Sequence, residues 1–355
     1  MEFNGKAKLE ELLNLAISYK ASDLHLLNTK PPILRVDGHL KDLANQPLLT
    51  PAMIEKMVLP ILSPQRLAVL KETRDLDFSF SFSAVRVRAN VYYERSSLSA
   101  SFRLIPKKIP SLEELGVPPI VKSFVNYGQG LVLITGPTGH GKSTTLAALI
   151  DLILSERNVN VITLEDPIEY VFSHKKGAVS QREVGADVIS FARGLRAALR
   201  EDPDVAMIGE MRDLETIEAC LTVAETGHLV FSTLHTNSAS QTADRIIDVF
   251  PPYEQNQIRQ QFASVLLGVV SQRLIPRVNG GRMLACEIMI ADNAVRNVIR
   301  EGKTHQLANI ISTSASEGMI TLDKVLAQLV RRGEITLDDA LVYCSNPKQF
   351  KLSVY

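Results

Sequence analysis

Hydrophobic and polar positions follow two different rhythms along this chain. Near the amino end Leu9, Leu12, Leu13, Ala16 and Ile17 recur at helical spacing, which predicts an amphipathic helix. The runs SDLHLL, PPILRVDGHL, DLDFSFSF, VRVRANVYY and LSASFRLI come next and predict short strands. Residues 1–106 are thus expected to form an α+β module with a largely antiparallel sheet. PKKIPSLEELGVPPI holds four prolines and a glycine, a composition that breaks helix and sheet alike. It places a linker at 107–118.

From about residue 119 apolar strands alternate with helices: GLVLITG then KSTTLAALIDLIL; NVNVITLED; DVAMIGE then DLETIEACLTVAE; HLVFSTLH then SASQTADRIIDVF. Alternation of this kind predicts an α/β core over 119–290, its mainly parallel sheet covered on both faces. After MLACEIMI the strand signals stop, and residues 291–355 read as short helices. In TLDKVLAQLVRRG a basic last turn precedes Gly333, as a helix stop should. In AVRNVIREGK, Ala294, Val295, Val298 and Ile299 fall on one side of a helical wheel and Arg296, Asn297, Arg300 and Glu301 on the other. Asp292 is suited to start that helix and Gly302 to end it.

Charge and cysteine content narrow the function classes. The 355 residues carry 39 basic and 39 acidic side chains and are 45% hydrophobic, enough for packed cores and without a global pull toward nucleic acid. A nucleic-acid translocase is disfavoured on that ground. Cys220, Cys286 and Cys344 are odd in number and far apart, which argues against a disulfide framework and a tetracysteine zinc site and favours a cytoplasmic setting. The start, MEFNGKAKLEELLNLAISYK, is interrupted by charges and lacks the core of a signal peptide. No stretch approaches the ~20 apolar residues of a membrane helix.

The candidate chemistry begins at Gly136-Pro137-Thr138-Gly139-His140-Gly141-Lys142-Ser143, followed by Thr144. The run satisfies G-x-x-x-x-G-K-[ST] between a predicted strand and a predicted helix. Such a loop wraps a phosphate chain in backbone N–H groups, with Lys142 reaching the β and γ phosphates and Ser143 a ligand for Mg²⁺. Glu165 and Asp166 end the next predicted strand, on the side where parallel sheets bind ligands. There Glu165 would polarise the attacking water or organise the metal. Glu210 ends a third strand, where an acidic residue supports Mg²⁺. His235 and Thr236 end a fourth that His228 begins, and His235 is expected near the γ phosphate as a sensor.

GPTGHGKSTT, VITLEDPIEY, LRAALREDPDVAMIGEMRDLETI and GHLVFSTLHTNSA are similar, in order and spacing, to the Walker A, Asp box, Walker B and His box of the secretion and type IV pilus ATPases. ASDLHL and RVDG resemble that family's amino-terminal domain. The resemblance implies an amino-terminal PAS-like α+β domain, a RecA-like P-loop ATPase core and carboxy-terminal helices. It further implies a homo-hexameric ring hydrolysing ATP with Mg²⁺, working in the cytoplasm on an inner-membrane pilus platform protein. Arginines of the PAS-like domain are implied to complete each nucleotide site, and Arg88, Arg95 and Arg103 are the candidates; the family's arginine at the second stands more often one position later, where this chain has Ser96. His140 replaces the family's usual serine and is expected to contribute mainly its backbone. GEMRDLETI, AVRNVIREGKTHQ and the missing zinc loop resemble the retraction motors rather than the assembly motors. An accessory pilus ATPase is the neighbouring alternative.

Overall fold

The computed structural model describes residues 4–83 and 85–354. Residues 1–3, which open the segment read above for a leader sequence, lie outside the described residues. Contacts divide the chain into two units, Met1–Lys108 with Pro167–Val171, and Ile109–Asp166 with Phe172–Tyr355.

The first unit opens with α1 (Gly5–Ser18), whose N-cap Asn4 accepts the Ala7 N–H. Leu9, Leu12, Leu13 and Ala16 are buried on one face, the i, i+3, i+4, i+7 stripe of an amphipathic helix. Strands β1 (Asp23–Leu26), β2 (Ile33–Val36) and β3 (His39–Asp42) lead to helices α2 (Pro51–Val58) and α3 (Pro64–Thr73), then to β4 (Asp75–Phe82), β5 (Val85–Glu94) and β6 (Ser97–Pro106). They build one six-stranded sheet in the order β3-β2-β1-β6-β5-β4, antiparallel at each pairing. In β5 the buried residues Val85, Val87, Ala89 and Val91 alternate with Arg86, Arg88 and Asn90, so the pleat turns valines inward and the arginines away from the core. Both helices α2 and α3 begin on a side-chain cap followed by proline, Thr50-Pro51 and Ser63-Pro64.

The second unit holds β7 (Gly130–Thr135), α4 (Lys142–Glu156), β8 (Asn160–Glu165), β9 (Ala178–Glu183), α5 (Phe191–Ala198), β10 (Val205–Ile208), α6 (Leu214–Glu225), β11 (Leu229–Leu234), α7 (Ala239–Asp248) and α8 (Gln255–Val265). Next come β12 (Leu266–Pro276), β13 (Arg282–Ile290), α9 (Asn293–Arg300), α10 (Leu307–Thr313), α11 (Leu322–Arg331), α12 (Leu337–Tyr343) and α13 (Pro347–Val354). Among the described residues the strands form a seven-stranded sheet ordered β13-β12-β7-β11-β10-β8-β9. From β12 to β9 neighbours run parallel, and β13 closes the edge antiparallel to β12. The residues of β7, β10 and β11 are buried throughout, as befits strands covered on both faces. The chain leaves β7 for β8 across two intervening strands, β11 and β10. Such a reversal of strand order opens a crevice at the carboxyl ends.

Two strands and several helices escaped the sequence reading. α8 ends at Val265 and β12 begins at Leu266, with no turn residue to announce the change. β9 is a half-exposed edge and lacks an apolar alternation.

α9 corrects part of its wheel. Asp292 caps it through the Val295 N–H and Val295 and Ile299 are fully buried, but Ala294 is exposed. Arg296, assigned to the solvent face, instead donates to the carbonyls of Ala263 and Ser264 in the last turn of α8, each at 2.6 Å, and to Ala291 at 2.9 Å. Those end carbonyls lack helical partners, so the guanidinium is drawn inward to serve them.

Candidate active site

In the second unit the residues singled out from sequence meet at the carboxyl ends of β7, β8, β10 and β11. The loop after β7 turns at Gly136, φ +138°, where a Cβ would lie 2.4 Å from the carbonyl oxygen of Gln272. Only glycine fits so close to another backbone. Gly141, φ +81°, then opens α4. Lys142 is buried and its Nζ donates to the carbonyls of Gly136 at 2.8 Å and Pro137 at 3.0 Å, so the ammonium is held inside the curl of its own loop. Ser143 is exposed in the first turn of α4.

Glu165 ends β8 and is buried; its Oε1 accepts from Thr163 Oγ1 at 2.7 Å and from Gln181 Nε2 of β9 at 2.9 Å. Gly209 donates its N–H to Leu164 at 2.8 Å, which sets the backbones of Glu165 and Glu210 on adjoining strand ends. Glu210 Oε1 receives Arg212 Nε at 2.7 Å and His235 Nε2 at 3.1 Å. Burial by itself would raise the Glu210 carboxyl, but the Arg212 hydrogen bond and the His235 charge outweigh it and hold the group below the usual carboxylate range. On its other side the His235 ring, through Nδ1, meets Thr138 Oγ1 at 3.3 Å. The P-loop, His235 and Glu210 therefore form one connected polar chain.

β12 runs beneath the loop. Gln272 Nε2 donates to the His140 carbonyl at 2.8 Å, the Leu274 N–H donates to His140 Nδ1 at 2.9 Å, and Arg282 Nη1 reaches the Gly139 carbonyl at 3.3 Å. Burial pushes the His140 imidazole below its ordinary range, and Arg273, Arg282 and Lys142 act in the same direction. The expectation that His140 contributes mainly backbone leaves out this side-chain bond. Arg273 holds Asn237 Oδ1 at 2.9 Å, and Glu287 accepts the Ala239 N–H at 2.8 Å, which fastens the start of α7 just beyond His235. Sequence reasoning missed Gln181, Arg212 and Gln272. Arg212 was findable two places after Glu210; Gln181 and Gln272 sit on the two unread strands.

The three candidate arginines belong to the first unit. Arg88 pairs with Asp77 at 3.2 Å and with Glu169 at 3.3 Å, the latter in the returning segment Pro167–Val171. Arg103 Nε pairs with the buried Asp23 at 3.0 Å. Arg95 stands in the two-residue turn between β5 and β6, with φ of 47° there and 64° at Ser96, a type I′ hairpin made without glycine.

A family model described as "Type II/IV secretion system protein" matches residues 5–279. The chain is 45% identical over 343 residues to a Pseudomonas aeruginosa protein called type IV pilus retractation ATPase PilT, covering 96% of this chain and 99% of that one. It is 44% identical over 311 residues to a twitching motility protein of Neisseria gonorrhoeae, covering 87% and 83%. Among solved structures it resembles the crystal structure of the pilus retraction motor PilT with bound ADP, with a TM-score of 0.86 and 47% identity over 97% of this chain and 98% of that one. With the loop, the paired strand-end carboxylates and the histidine assembled as described, the chain belongs to the type II/IV secretion system protein family.

Proposed function

We propose that the protein is an ATP-hydrolysing motor that powers type IV pilus retraction. The observation that carries this is the chain from Thr138 through His235 to Glu210, which links a complete phosphate loop to an acidic strand end. A retraction motor and a twitching motility protein stand among the relatives of nearly matching length, and a related motor was solved with ADP.

In this reading the P-loop backbone from Gly136 to Thr144 cradles the phosphates. Lys142 moves its ammonium from the two loop carbonyls to the β and γ phosphate oxygens. Glu165 orients and deprotonates the attacking water, its second partner Gln181 fixing the carboxylate. His235 reports the γ phosphate to Glu210. The Ser143 hydroxyl and the Glu210 carboxylate are hard oxygen donors that would hold Mg²⁺, which would there neutralise phosphate charge. Among the described residues no cluster of three acidic, histidine or cysteine side chains would hold a metal unaided, which fits an ion brought by the nucleotide. Arg88 and Arg103 supply permanent charge to the transition state once released from Asp77, Glu169 and Asp23, with Arg95 a third candidate in the hairpin turn.

The working form is a homo-hexamer at the cytoplasmic face of an inner-membrane pilus platform protein, with no nucleic-acid partner. No helix among the described residues is long and apolar enough to cross a membrane. A deletion strain tests the function: surface pili retained with twitching lost is the expected result, and loss of pili would assign assembly instead. Purified protein should turn over ATP, and Glu210→Ala should lower kcat by about a hundredfold or more, the scale of removing a group that organises transition-state charge.

A further inference from the structure

β12 extends beyond its neighbour. β7 pairs with it as far as Thr135 opposite Ser271, and β12 continues to Pro276. Past that point the strand edge facing β7 has no strand beside it among the described residues, and the turning P-loop occupies the place. An edge N–H covered by a loop and left unpaired costs more than an ordinary hydrogen bond returns. Leu274 has such an N–H, and His140 Nδ1 accepts it at 2.9 Å. In return the His140 carbonyl takes Gln272 Nε2 at 2.8 Å. One loop residue thus exchanges two bonds with β12, as a paired strand residue would.

We propose that the His140 side chain is a positioning residue for nucleotide: as a neutral imidazole it acts as a substitute strand acceptor that docks the P-loop on β12 in its phosphate-ready curl. This rests on the reading of the loop as a nucleotide site and goes beyond its backbone role. The tautomer is dictated. Nδ1 must be unprotonated to accept, so Nε2 carries the hydrogen. The charged groups facing the ring are Arg273 of β12, Arg282 of β13 and Lys142 of α4, and Tyr343 of α12 meets it edge-on with centroids 6.4 Å apart. Their positive charge favours the neutral ring that the bond requires. The loop's docking is shared by Gly136, packed on the Gln272 carbonyl, so removing the imidazole loosens the loop at one end without unfolding the sheet.

Loosening raises the ordering cost of binding and leaves the reacting groups in place. ATP turnover of the full-length protein, measured for wild type, His140→Ala and His140→Asn, tests this. Asn presents an acceptor oxygen two bonds from Cβ, as Nδ1 is. His140→Ala is expected to raise KM for ATP roughly three- to tenfold, the range of one net hydrogen bond, with kcat within twofold; His140→Asn is expected to recover KM to within twofold of wild type. Hydrogen exchange in the nucleotide-free protein should show the Leu274 amide protected in wild type and Asn and unprotected in Ala. An unchanged KM in the Ala variant overturns the proposal, as does an Asn variant no better than Ala. If Ala does not fold, an unprotected Leu274 amide in wild type overturns it alone. Absence of saturable ATP turnover in wild type would instead sink the nucleotide reading itself, whatever the variants do.

Discussion

Gly136 shows how little freedom the phosphate loop has. With φ at +138° and a would-be Cβ 2.4 Å from the Gln272 carbonyl, a methyl group collides with backbone rather than with a yielding side chain. Gly136→Ala is expected to shift the loop off β12 and to lower thermal stability by about 1–3 kcal/mol, the usual cost of such strain, with ATP turnover falling further than stability. Thermal melts beside kinetics separate the two losses. The cysteines give a simpler test at the same scale. Cys220 and Cys286 are buried in the second unit's core, where burial pushes the first thiol far up and the second up to about 12, so neither forms thiolate near neutrality. Cys344 is half-exposed. Native protein treated with iodoacetamide should be modified at Cys344 and spared at the other two until denaturant is added; rapid native labelling of Cys220 would contradict its burial on α6.

Among the elements, α9 carries the clearest revision. Its apolar face is not a free docking stripe, because Val295 and Ile299 are fully buried in the unit's own core. Replacing them by asparagine is expected to cost about 3 kcal/mol or more through lost packing and an unpartnered amide, which would abolish hydrolysis along with any motor output. Arg296→Ala, which strips acceptors in the last turn of α8 of a charged donor, is expected to destabilise by about 1–3 kcal/mol in chemical denaturation. Substitutions at the exposed Asn297 and Arg300 are expected to retain ATP turnover and impair twitching, which tests whether the segment has a role in force transmission. A parallel fall of both would remove the segment from that role. The helix was legible in the sequence because its cap, period and glycine stop are local signals. The fate of Arg296 was not, since it depends on carbonyls thirty-odd residues away in sequence. The same contrast runs through the site. Lys142 and Glu210 were legible as motif and strand end, whereas the grip of β12 on the loop lay in Gln272 and Leu274, on a strand that follows a helix with no turn between them.

For the molecule as a whole, the division into units is crossed by the chain at Lys108, at Asp166 and again at Val171. Arg86 and Arg88 of β5 hold the returning segment, through the Ile168 carbonyl at 3.2 Å and the Glu169 carboxylate at 3.3 Å. That segment follows directly on Glu165 and Asp166, so the candidate base is two peptide bonds from a stretch that packs with the other sheet. A fragment spanning 109–355 should therefore fold its parallel sheet yet be cut by protease within 167–171, where the full chain resists. Equal resistance in both would show that the second unit shelters the segment unaided.

The returning segment also gives the protein a timetable on the ribosome. β6 ends at Pro106, so the amino-terminal sheet has all its strands once that residue emerges, while Glu169 emerges some sixty residues later, roughly 3–12 s at bacterial elongation rates of about 5–20 residues per second. For that interval Arg88 has Asp77 as its carboxylate partner and the Ile168 carbonyl that Arg86 holds has yet to emerge. The nascent module is thus left with one unfinished face on β5, and it is finished by the same stretch of translation that delivers the candidate base Glu165.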